Sequence, residues 1–67
     1  MNADEPQPVT VTVELSEAQA WALAELCKRI GWADARALSV DEAETHQMIR
    51  ATDRLAGALR EAGFSPR

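Results

Sequence analysis

The sequence predicts an α+β fold: one N-terminal β-strand followed by two α-helices, closing as a dimer through a two-stranded antiparallel ribbon. Three observations lead there. In residues 8–15, Val9, Val11, Val13 and Leu15 alternate with Thr10, Thr12 and Glu14, the period-two pattern of a strand with one buried face. Two later stretches each open on a serine with Gln or Glu three residues on, then repeat apolar residues every three or four positions, as amphipathic helices do. No second run alternates, so a lone strand leaves its backbone groups unpaired and a twofold-related copy is the natural partner.

Length and composition support association. A chain of 67 residues is one small domain, and at that size only about 60% of the unfolded surface is buried on folding. The 46% hydrophobic content includes thirteen alanines, which add little area to a core. Cys27 is the only cysteine, so no disulfide can compensate and oligomerisation is the remaining support. The net charge is −4. That balance counts against direct nucleic-acid binding, whose affinity comes mainly from cations on phosphates, and favours a basic protein or nucleoprotein partner. No apolar run approaches the roughly 20 residues of a membrane span and no signal-peptide pattern opens the chain, so a cytoplasmic protein is expected.

Residues 1–7 read as a disordered arm and 8–67 as the single strand-helix-helix domain. Ser16 and Gln19 form a capping box for a helix over 17–30 that stops at Gly31. Its apolar face is Gln19, Leu23, Leu26 and Ile30, with Ala20 and Cys27 at the margin. Residues 31–38 are a connector with room for one short helical turn. Ser39 and Glu42 form a second box, opening a helix over 40–62 whose first turn carries Asp41, Glu42 and Glu44. Thr45, Met48, Thr52, Leu55, Ala56, Leu59 and Ala62 make its inner face, with Ile49 at the edge. Gly63 ends it, and Phe64 at C″ can fold back on Leu59 or Arg60.

No constellation points to catalysis. There is no phosphate-cradling glycine loop, Ser16 and Ser39 are taken by caps, and a domain this small leaves little room for a pocket of the usual 300–1,000 Å³. His46 belongs to a solvated face, and one histidine with one glutamate is too few for a metal, so neither metal nor cofactor is expected. Cys27 reads as a buried, inert thiol. The candidate partner-binding residues are Trp21, Trp32, Arg36, Asp41 and Glu44, because tryptophan and arginine anchor interfaces and carboxylates steer basic partners. The competing reading makes both indoles core, where bulk is scarce, and the acids helix-dipole partners. Val9, Val11, Val13 and Leu15 are the candidate dimer strand.

Val-Thr-Val-Glu-Leu-Ser-Glu-Ala-Gln at 11–19 resembles the strand and first-helix start of ribbon-helix-helix repressors. That resemblance implies paired strands in the major groove, with Thr10, Thr12 and Glu14 facing the bases. No Arg or Lys lies among those three. Asp41, Glu42 and Glu44 occupy the helix start where that family holds phosphate. Lys28-Arg-Ile-Gly-Trp, Val40-Asp-Glu-Ala-Glu and the ending Glu61-Ala-Gly-Phe-Ser-Pro-Arg look like small proteins of proteobacterial phages and integrated elements. That second resemblance implies a mobile-element accessory protein, in its most specific form an anti-CRISPR-like inhibitor of a host defence complex. The expected function is thus a non-enzymatic, acidic, homodimeric protein-binding module. The alternatives are a ribbon-helix-helix-like DNA-binding regulator or antitoxin, and a structural helper of a larger assembly.

Overall fold

The computed structural model describes residues 7–66, and among these it is all-helical: α1 spans Glu17–Arg29, α2 Trp32–Leu38 and α3 Glu42–Glu61. The predicted α+β class is therefore wrong. Residues 7–15 form neither helix nor strand, and none of their backbone groups hydrogen-bonds to another backbone group among the described residues. Val9, Val11 and Val13 are 66–83% exposed, and Leu15 is also on the surface. Alternation reports which side chains would share a face; a strand also needs a neighbour to complete its ladder, and a single chain with one alternating run holds none. With no strand among the described residues, none of them forms the expected ribbon. The expected arm lies, apart from Gln7, outside the described residues.

α1 begins as predicted. The Ser16 hydroxyl accepts from the Gln19 backbone N–H at 3.0 Å and the Gln19 side chain accepts from the Ser16 N–H at 2.9 Å, a complete capping box. Its inward face is the predicted one turned toward the margin that holds Ala20 and Cys27. Ala20 and Ala24 are the buried centre, flanked by half-buried Leu23 and Cys27. Leu26, placed at the middle of the expected face, is 57% exposed, and Gln19 is spent on the cap. The helix is turned toward its small residues, because helix axes approach most closely where the side chains between them are short. Leu59 of α3 completes this cluster.

The connector contains a seven-residue helix, not a single turn. Gly31 is its N-cap rather than only the stop of α1, and the Asp34 carboxylate accepts from the Gly31 N–H at 3.0 Å. Fully buried Ala35 turns inward. α2 packs on α3, as α1 does, while α1 and α2 do not pack on each other. α3 is thus the spine.

Ser39 does not start the long helix. Asp41 is the N-cap, its side chain accepting from the Glu44 N–H at 2.8 Å, and the Glu44 carboxylate reaches back to the Val40 N–H at 2.8 Å. The Ser39 hydroxyl lies 3.2 Å from the Arg36 carbonyl at the end of α2 and also meets the Thr45 hydroxyl. Thr45, fully buried, is within 3.0 Å of the Asp41 carbonyl as well. With two hydroxyl protons, two of these three contacts are hydrogen-bonded at any one time, and no buried side-chain polar atom among the described residues lacks a partner. Thr52 likewise donates to the Ile49 carbonyl at 2.9 Å, so both threonines of the inner face settle their hydroxyls on backbone.

At the other end, Gly63 has φ +102°, the left-handed conformation that a C′ residue needs. Its N–H donates to the Arg60 carbonyl at 3.0 Å, and that of Phe64 donates to Leu59 at 2.8 Å. Those two bonds define a Schellman motif, and the Phe64 ring packs on the Leu59 cluster as expected.

Candidate protein-binding surface

The five predicted contact residues do not come together. Trp32, the first residue of α2, meets His46 near the start of α3 with ring centroids 4.7 Å apart and planes at 62°. Trp21 meets Phe64 just beyond the end of α3, at 5.1 Å and 74°. His46 and Glu61, the last residue of α3, are 15 positions apart, about 22 Å at 1.5 Å per residue. The two indoles therefore belong to opposite ends of the molecule.

Neither ring is core, and neither is bare. Trp21 remains 41% exposed and Trp32 43%. Each uses one side on an edge-to-face aromatic contact, worth about 0.5–1.5 kcal/mol. Trp21 thereby holds the residues after α3 against α1. Trp32 pins α2 to α3 through His46, whose ring is exposed otherwise.

Asp41 and Glu44 are engaged locally, as the cap and its return bond. Their charge still radiates, but their oxygens are held by backbone N–H groups, so their replacement would also unseat α3. Arg36 is exposed in the last turn of α2, one helical turn from Trp32 and so on the same side.

Leu38 and Val40, which close α2 and lead into α3, are 72% and 83% exposed, and the sequence reading did not single them out. Leu38 ends the expected connector and Val40 opens the expected long helix, and neither stands out there. Only the path of the backbone past Ser39 turns both outward. Trp32, Leu38 and Val40 thus form the apolar part of a segment, 32–44, that contains Asp34, Asp41, Glu42 and Glu44 against the single cation Arg36.

No cluster of three or more His, Cys, Asp or Glu among the described residues could hold a metal ion. No helix among them is long and apolar enough to cross a membrane. Cys27 is half-buried, and desolvation pushes its thiol up from the ordinary value, away from the reactive thiolate. The expected shortage of pocket space is corrected: a cavity of about 460 Å³ opens between α1, α3 and the residues after α3.

No curated protein and no solved structure matches the chain. One family model does match, over residues 1–67, and its description is a family of unknown function, DUF7706. By that full-length match, the chain belongs to the DUF7706 family.

Proposed function

We propose that this protein is a non-enzymatic, acidic protein-binding module that docks through α2 and its turn into α3. The observation that carries the reading is the exposure of Trp32, Leu38 and Val40 within a segment rich in carboxylates. Exposed apolar side chains cost solvation, and an aromatic beside an arginine is a common anchor of interfaces. The surrounding acids favour a basic partner and speed its approach. Two copies associate in this reading, covering the Val9, Val11, Val13 and Leu15 side chains that one copy leaves in water.

In its most specific form the partner is a host nucleic-acid-guided defence complex of the CRISPR type. A basic channel built for nucleic acid has the charge to receive this surface. The support for that form is the acidic balance together with the resemblance to small phage and mobile-element proteins.

The test is affinity capture from a bacterial host lysate, with and without nuclease, using the native chain and a Leu38→Asp/Val40→Asp variant. Both positions are solvent-facing, so the variant should keep its helical circular dichroism. A basic protein retained after nuclease and lost with the variant supports the reading. Capture that disappears with nuclease would instead favour a DNA-binding regulator or antitoxin.

A further inference from the structure

The cavity of about 460 Å³ lies at the end of the molecule remote from Trp32, between the C-terminal half of α1, the second half of α3 and the residues that follow it. Its apolar wall is Ala24 and Cys27 from α1, Ala56 from α3, then Phe64 and Pro66. The volume falls in the range of about 300–1,000 Å³ typical of small-molecule sites, but the space is a cleft half open to solvent, so it covers only part of a ligand.

The charged groups on the wall are Lys28, Arg60 and Asp53. Arg29 pairs with Glu25, whereas neither Lys28 nor Arg60 forms an ion pair with a carboxylate among the described residues. In a chain of net charge −4, two cations against one carboxylate make this wall locally positive. The excess is limited. Asp53 opposes it, and Lys28 and Arg60 stand in the last turns of α1 and α3, where helix dipoles place partial negative charge. The site therefore suits one negative charge on an apolar body and disfavours a phosphate dianion or a nucleotide.

We propose that this cleft binds an apolar monocarboxylate of medium chain length, its carboxylate between Lys28 and Arg60 and its hydrocarbon on Ala56, Phe64 and Pro66. The chemistry needed is a charge-assisted contact at one end and displacement of water from Ala56, Phe64 and Pro66 at the other. This site is separate from the α2 surface and stands or falls independently of it.

The test is a titration of the full-length ¹⁵N-labelled protein with octanoate, 1-octanol, octyl phosphate and acetate, followed by NMR. Octanoate should give saturable shifts centred on Ala24, Cys27, Ala56 and Phe64. 1-Octanol and octyl phosphate should bind at least tenfold more weakly, and acetate should leave the spectrum unchanged. A Lys28→Gln/Arg60→Gln variant changes exposed residues only, and should keep the helical spectrum while losing at least tenfold in octanoate affinity. The Leu38→Asp/Val40→Asp variant should bind octanoate as the native chain does. Absence of saturable shifts, equal affinity for 1-octanol, or undiminished octanoate binding by the doubly neutralised variant would each overturn the proposal.

Discussion

Leu59 and Leu26 offer a direct test of how α1 sits on α3. Replacing a leucine with alanine removes three carbons, worth about 0.8 kcal/mol each when fully buried, or roughly 2.4 kcal/mol. Leu59 is 8% exposed in the α1–α3 cluster, so nearly all of that is lost, and the void left behind adds to it. About 3–4 kcal/mol is expected for Leu59→Ala. Leu26 is 57% exposed, and the same substitution there should cost about 1 kcal/mol at most. The whole stability of a 67-residue domain is only about 3–10 kcal/mol, so Leu59→Ala takes a large part of it. With a urea slope of about 1 kcal/mol per M, the midpoint should fall by about 3 M for Leu59→Ala and by about 1 M or less for Leu26→Ala. The assay is urea unfolding followed by circular dichroism at 222 nm, repeated across protein concentrations so that association is detected. Equal losses at a concentration-independent midpoint would refute the orientation of α1 described here and restore the face centred on Leu26.

Three further outcomes follow from local geometry. Gly57→Ala should stabilise the protein by up to about 1 kcal/mol through helix propensity, since an added Cβ would meet only the Arg60 guanidinium at 3.9 Å, an ordinary contact; a lower melting temperature would count against that account. Ser16→Ala removes one half of the capping box and should lower stability by about 1 kcal/mol, read as a fall of about 4–8 °C in melting temperature. Desolvation raises the Cys27 thiol, so alkylation by iodoacetamide at pH 7 should be slower than for the urea-unfolded chain and accelerate only above the ordinary thiol range. A thiol raised in the folded state stabilises most below its unfolded pKa and loses that contribution as pH climbs through the folded one. The native chain should therefore lose more stability than a Cys27→Ala variant on going from pH 7 into the alkaline range.

Local chemistry was legible wherever a few neighbouring residues decide the outcome. The Ser16–Gln19 box, the stop at Gly63 and the return of Phe64 to Leu59 all appear in the structure as read, because each is a bond between residues three to five apart. The choice between competing caps was less legible. Ser39 and Asp41 both suit an N-cap, and Asp41 takes the role while Ser39 closes α2 and meets Thr45. The short α2 was hidden because seven residues with three alanines carry too little periodic signal to separate a helix from a connector. Of the candidate contact residues, Trp32 and Arg36 share a helix and were legible as neighbours. Their distance from Trp21, and the exposure of Leu38 and Val40, were not.

By itself the sequence determined where α1 starts, where α3 stops and how little bulk is available to hold the helices together. It did not determine which face of α1 turns inward or whether the valine row meets a partner. An alternating row marks a face but supplies no second strand, so residues 7–15 remain unpaired. A helix with apolar residues on more than one side has several faces that could be buried. Tertiary structure chose Ala20 and Ala24 over Leu26, because close approach to α3 depends on the absence of bulk at the seam, a property of two helices that neither one displays alone.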